Sequence, residues 1–447
     1  MARLIVRPCT GPLRGSVPVP SDRSITLRAL VIGALSNGPC ELRGFGYGTD
    51  TRTMLNALSA LGVRTEDDGR GTVRVRGVGL QGLRPPEVDI DCGHSGTALR
   101  LLAGVLAAQP FRSRLVGAER LERRDLRAVL EPLRRRGARI EGRRDDSREH
   151  APLDVFGVEP GTRLGPVEHV LDRANDHTKG ALLLSGLFAS GPTTVHEQVV
   201  ARDHTERLLA ALAVPIETVG PILRLHPPRS PLAIRGFTMD LPGDLTAASF
   251  LLIAAQLVRG SRVSTRRTGL NPTRAAVLEL IRLFGGRMGI SPRGDSLGEP
   301  FGEISSEGSV LRGTTVAGEL AERALDEIPI VCVLAARARG RTEVADVGEL
   351  REDEPDRLRA ITEVLRAFGV PAEERADGLV IEGRSEGSLT AARVESRGDH
   401  RIAMAAAVLG LIGDGETIIE DAECISVSFP RFVGTLRALG ADLEVVA

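Results

Sequence analysis

Lysine is almost missing from this chain. Among 58 basic side chains in 447 residues, Lys179 is the only lysine and all the others are arginine. A bias this complete reflects genome composition, so an arginine where a lysine would also serve carries little functional meaning. Cysteine is sparse as well. Cys9, Cys40, Cys92, Cys332 and Cys424 are scattered, odd in number and without a CxxC pair, which argues against a disulfide framework or a zinc site. No apolar run reaches the roughly 18 residues of a membrane span, and the opening MARLIVRPCT lacks the apolar core of a signal peptide. A cytoplasmic location is the expectation. The formal net charge of -1 leaves no electrostatic footprint for nucleic acid or a membrane surface. Neither a GxxxxGK[ST] loop nor a strand-linked GxGxxG is present, so nucleotide binding lacks its usual motifs. What remains is an ordinary globular composition, 42% apolar and 26% charged, in a chain long enough for two or three domains.

The positive signal is repetition. An apolar helix, a glycine turn and a strand recur at GALSNGPCELRG, AGVLAAQPFRSRLVG, SGLFASGPTTVHE, AAQLVRGSRVSTR, AARARGRTEVAD and LGLIGDGETIIED. A second pattern, an amphipathic helix followed by a strand, interleaves with it at LNALSALGVRTE, LEPLRRRGARIE, LLAALAVPIE, LELIRLFGGRMG, TEVLRAFGVPAE and GTLRALGADLEV. Both return about every 75 residues, so the chain reads as six units of strand, helix, strand, helix and one or two strands. Six α/β units divide into two halves of three. The proline-rich stretch LHPPRSPLAIRG at 225–236 reads as the crossover between halves, and the first strand, RLIVRP, is a candidate to pair with the C-terminal half.

Polar clusters gather at the helix starts: PSDRSITLR, GHSGTALR, RANDHTKG, PGDLTAAS, LDEIP and GDHRIAM for the first helix type, and GTDTRTM, LERRDLR, RDHTER, LNPTR, LREDEPDR and SVSFPRF for the second. Asp, Ser, Thr and Asn are expected there simply as caps. Arginine is not, because a cation in the first turn opposes the helix dipole. Arg23, Arg28, Arg100, Arg124, Arg357 and Arg401 nevertheless lie at or near such starts. Helix N-termini with added guanidinium groups suit a polyanionic small molecule.

These same segments, in this order along nearly the whole chain, resemble the EPSP synthase family of enolpyruvyl transferases. The resemblance implies an α/β (α+β) fold of two similar domains, each of three βαβαββ units, with the active site in an interdomain cleft. One domain would comprise 1–20 and 240–447, the other 21–239. It also implies transfer of the enolpyruvyl group of phosphoenolpyruvate (PEP) to the 5-hydroxyl of 3-phosphoshikimate, with release of phosphate and no metal or other cofactor. The partners would be these small anions alone, acting on a monomer. By the same resemblance Arg23, Gly96, Arg124, Arg357 and Arg401 would hold PEP. Glu354 would exchange the methylene proton, Asp326 would orient or deprotonate the acceptor hydroxyl, and Arg23, in a slot where the family has Lys, would serve both substrates. Ser24, Arg28, Asn175, His177, Asp326 and Asp353 would line the acceptor. Capping is the competing reading for Asp326, and a first-turn dipole partner for Glu354. The related transferases that use a loop cysteine are disfavoured, because none of the five cysteines stands in such a loop.

The pattern departs from the family on the acceptor side. Asn175-Asp176-His177 replaces Ser-Ser-Gln or Ser-Ala-Gln, Ala201 replaces a Ser, Asp353 replaces a Lys, Pro355 replaces a small polar residue and Asp125 replaces a Pro. Most of these changes move the local charge toward negative. At an effective dielectric of about 20, a like charge about 4 Å from a phosphate costs on the order of 4 kcal/mol, which a protonated His177 would offset in part. The same PEP chemistry on a different hydroxyl acceptor is therefore the alternative, and an inactive anion-binding homologue the third reading.

Overall fold

The computed structural model describes residues 2–145, 148–352 and 355–446. The chain forms two compact units. One comprises Met1–Pro20, Gly243–Gly294 and Pro300–Ala447, the other Ser21–Pro242 and Asp295–Glu299.

Each unit contains three four-stranded sheets of one design. In the second unit, Val167–Leu171 runs parallel to Thr193–Glu197, which pairs antiparallel with Ile222–Leu225, itself paired with Ile216–Val219. A parallel pair cannot be joined by a tight turn and needs a crossover; the helix Asp176–Gly186 supplies it. The second helix, His204–Ala211, leads into the closing hairpin. This is the strand–helix–strand–helix–strand–strand order read from the repeats.

The two helix types differ in burial. Helices of the first type are buried on nearly every side and mostly apolar, as a helix enclosed by protein is. All thirteen residues of Leu245–Leu257 are buried, and so are Ile25 to Leu35 in Arg23–Leu35. Helices of the second type bury only one stripe, as in Arg127–Arg135, where Val129, Leu130, Pro132 and Leu133 face inward.

Two closures tie the ends of the repeats together. The first strand, Arg3–Arg7, lies between Thr417–Glu420 and Asp442–Val446 and completes the last sheet of its unit. Thr238–Asp240 runs parallel to Asn37–Arg43 and completes the first sheet of the other unit. The stretch 225–236 therefore does not carry the chain across. It stays inside the second unit, where Ile234 accepts from the Asn37 amide at 2.6 Å and Pro231 from the Leu80 amide at 3.1 Å. Prolines there shape a surface return, a turn signal that says nothing about which unit follows.

Within the second unit, the helix Gly96–Leu106 packs on Asp176–Gly186 at Gly104, where an added Cβ would lie 2.4 Å from the Ala181 carbonyl oxygen and 2.8 Å from its Cα. Backbone cannot yield as a flexible side chain can. Gly104→Ala is expected to lower unfolding stability by about 1–3 kcal/mol, read as a fall in the denaturant midpoint. An unchanged midpoint would show that the two helices separate at no cost.

Candidate functional site

In the second unit, side chains from the first turns of five helices meet. Asp22 caps Arg23–Leu35 by accepting from the Ile25 amide at 2.9 Å, and Arg23 pairs with Asp50 at 3.1 Å. Arg28, one turn further in, is completely buried. Its Nε donates to Thr205 at 2.8 Å, Nη1 donates to the Ser24 carbonyl at 3.1 Å and to its hydroxyl, and Nη2 donates to Asp176 Oδ2 at 2.7 Å. Asn175 caps its helix, accepting from the Thr178 amide at 3.0 Å. His177 Nε2 shares a hydrogen bond of 2.8 Å with the Thr97 hydroxyl on the neighbouring helix. Gly96 opens that helix with the Arg100 and Arg124 heads against it. A Cβ there would stand 2.7 Å from Arg100 Nη1 and 3.4 Å from Arg124 Nη1, so the bare backbone is what lets both cations close in. Arg124 itself lies in the connection after the short helix Glu119–Glu122 rather than in a first turn.

The electrostatics of this cluster follow from burial. Burial works to raise the Asp176 carboxyl, but His177, Arg28, Arg202 and His204 overcome it and hold it far below the ordinary carboxylate range. His177 is pushed down to about 4, first by burial, with Asp176 opposing and the charges of Arg100, Arg28 and Arg202 adding to it. The expected offset from a protonated His177 is therefore absent at neutral pH. The added negative charge of Asp176 is met instead by Arg28.

The first unit repeats the device with different residues. Asp399 caps His400–Gly410, accepting from the Arg401 amide at 2.8 Å, while its other oxygen accepts from Arg357 Nε at 2.7 Å. Arg357 and Arg401 are thus brought onto one carboxylate, Arg401 through its backbone. Burial tends to raise Asp399, and Arg357, His400 and Arg401 together hold it well below the usual carboxylate range. The Arg401 side chain donates to Asp326 at 2.7 Å. Asp326 sits in the 3-10 turn Leu325–Glu327 and does not cap the helix Ile328–Arg337, which has no side-chain cap, so the capping reading falls away. Behind it, Arg274 binds Glu327 at 2.9 Å and also contacts Thr246, which in turn hydrogen-bonds Glu327. Asp353 and Glu354 lie outside the described residues.

Several partners in these networks carried no role in the sequence reading: Asp50, Thr205, Thr246, Arg274, Glu327 and Asp399. All stand in the quoted helix-start segments, and the available signal was the recurrence of an acidic or hydroxyl residue in each. Cysteine chemistry has little footing. All five thiols are free, and burial pushes Cys332 up to about 12 and both Cys9 and Cys424 up to about 11.

Comparison with known proteins fits this arrangement. The family model for EPSP synthase (3-phosphoshikimate 1-carboxyvinyltransferase) matches residues 9–436. The chain belongs to the EPSP synthase family. It is 41% identical to the 3-phosphoshikimate 1-carboxyvinyltransferase of Geobacter metallireducens over 443 residues, 99% of this chain and 100% of that one. It is 42% identical to that of Herpetosiphon aurantiacus over 422 residues, 94% and 95% of the two chains. The solved EPSP synthase of Acinetobacter baumannii superimposes with a TM-score of 0.89 at 32% identity, covering 100% of both chains. The EPSP synthase fold, α/β with two units of three repeats, is thereby shown. Among the described residues, no helix is long and apolar enough to cross a membrane.

The depressed His177 gives this family member a pH signature. The unfolded chain takes up a proton near the ordinary value of 6.5, while the folded imidazole waits until about 4. Stability from this group is therefore full above pH 6.5 and is lost as pH falls toward 4. Because 33% of the side chain remains exposed, the expected loss is discounted to roughly 1–2 kcal/mol. Unfolding free energies from pH 7 to 4.5 should fall more steeply for the parent protein than for His177→Gln. Parallel curves would show that the imidazole is not held neutral.

Proposed function

We propose that this chain transfers the enolpyruvyl group of PEP to the 5-hydroxyl of 3-phosphoshikimate and releases inorganic phosphate. The observation that carries this reading is family membership along nearly the whole chain, with relatives about 40% identical that bear the name of that activity.

The chemistry assigns work to the residues. Protonation of the PEP methylene makes C2 electrophilic, and the acceptor oxygen adds there to give a tetrahedral intermediate. Loss of a methyl proton and of phosphate then restores the enol ether. Atoms balance without an oxidant, a reductant or a metal. We assign the PEP carboxylate and phosphate to Arg124, Arg357 and Arg401, with Gly96 giving close backbone access, and charge stabilisation by Arg23. Glu354 is assigned the methylene proton and Asp326 the acceptor hydroxyl, each as an acid–base group. The Arg401–Asp326 contact supports this pairing, since it sets Asp326 beside a cation assigned to PEP. Ser24, Arg28, Asn175, His177 and Asp353 are assigned to the acceptor side. Both substrates are small anions of the cytoplasm, where we place the reaction.

One observation keeps the alternative acceptor in play. Arg28 is already engaged by Asp176, Thr205 and Ser24, so its guanidinium faces a carboxylate of the protein. The discriminating measurement is phosphate release from PEP with 3-phosphoshikimate, with shikimate and with no acceptor. Release with 3-phosphoshikimate only is the expected result. Silence with it, combined with protection against heat by PEP, would move the chemistry to another hydroxyl acceptor. Glu354→Gln is expected to lower turnover about 100-fold or more while PEP still binds; unchanged turnover would remove Glu354 from its role.

A further inference from the structure

The one lysine in the chain sits beneath the acceptor side of the second unit. Lys179 lies on the helix Asp176–Gly186, one turn below Asn175 and two residues after His177, and only 1% of it is exposed. Its ammonium has three acceptors. Glu197 Oε1 is at 2.9 Å, the Ala201 carbonyl at 3.1 Å and Glu206 Oε1 at 2.7 Å. They come from three places: the end of the strand Thr193–Glu197, the loop after it and the first turn of the helix His204–Ala211. Glu197 Oε1 also accepts from the Ala201 amide at 2.9 Å, so both backbone groups of Ala201 are fixed by the Lys179–Glu197 pair.

This geometry suits an ammonium and no other cation. One nitrogen offers three donors in a tetrahedral spread, whereas a guanidinium offers a planar fork from a larger head. The three acceptors use all three donors. A chain that has arginine at every other basic position has kept lysine here. The charge balance is tight as well. Burial raises the Glu206 carboxyl above its ordinary range, with Lys179 opposing, and Glu206 Oε2 has no hydrogen-bond partner. Two carboxylates thus converge on one buried cation, and each is held in place by it.

The position has a consequence for the residues above it. Thr205, which receives Arg28 Nε, is the neighbour of Glu206. Asp176, which receives Arg28 Nη2, and His177, which meets Thr97, lie on the lysine's own helix. We propose that Lys179 is a positioning residue for the acceptor, a three-way pin that sets Arg28, Asp176 and His177 relative to one another by holding two helices and the Ala201 loop to a single ammonium. The proposal rests on the acceptor reading given above.

Lys179→Arg decides it, because it keeps the charge and changes only the shape of the donor. Steady-state kinetics with each substrate varied in turn are expected to show the KM for 3-phosphoshikimate raised about 10-fold or more, with the KM for PEP within about 2-fold. Lys179→Met should show the same split more strongly; if it does not fold, the arginine variant stands alone. An unchanged acceptor KM in Lys179→Arg, or a parallel rise in both KM values, overturns the proposal, since a general packing role would not separate the two substrates. Should the parent protein prove silent with 3-phosphoshikimate, the function proposed above fails, and the proposal is then judged by the imidazole titration of His177, followed by NMR and assigned with His177→Gln. A shift of about half a unit or more in Lys179→Arg supports the pin, and an unshifted titration overturns it.

Discussion

A guanidinium near the start of a helix opposes the dipole that the helix presents there, and both units resolve this conflict by giving four of the six such arginines a carboxylate. Arg23 has Asp50, Arg28 has Asp176, Arg357 has Asp399 and Arg401 has Asp326. A cation in the first turn costs roughly 0.3–1 kcal/mol, and a charge-assisted hydrogen bond to a carboxylate counters it. The pairing also limits rotamer freedom. A guanidinium held at 2.7 Å by a carboxylate that itself caps a helix has little choice of direction, which is what binding a small trianion demands. Under the proposed function, these carboxylates would serve binding by aiming the arginines, even where they touch no substrate.

How much of this was legible follows from distance along the chain. The six repeats, the helix starts and the arginines are local patterns with periods the eye can follow. The pairings are not. Arg28 reaches a hydroxyl 177 residues away, and Arg401 a carboxylate 75 residues away. No spacing rule links such positions; they meet because three copies of one fold place equivalent helix starts together. The sequence therefore marks which helix ends carry chemistry without saying which carboxylate answers which arginine. The proline-rich stretch at 225–236 was misread for the opposite reason. Proline governs the local turn, whereas the assignment of a segment to a unit depends on strand pairing far away, here with Asn37–Arg43.

The same distinction corrects the reading of the acceptor side. Counting charges along the sequence, Asp176 adds a negative group where the family has a neutral one, and a protonated His177 was the available counterweight. In three dimensions the counterweight is Arg28, buried against Asp176, and His177 is neutral. The pair is locally neutral, so the simple Coulomb penalty on a nearby phosphate largely cancels. What changes is that Arg28 spends donors on Asp176, Thr205 and Ser24, a change in hydrogen-bonding capacity more than in net charge.

The arginine bias of the chain makes its single lysine informative. Substitution pressure toward arginine tests every lysine position for whether a planar, larger cation will serve. Arg23 passes that test: it lies half-buried and reaches Asp50 at 3.1 Å. Lys179 does not, because it is sealed among three acceptors that converge on a point. Here the bias separates a cation chosen for its charge from one chosen for its shape, and the position that resists is the one whose geometry is fully determined by its neighbours.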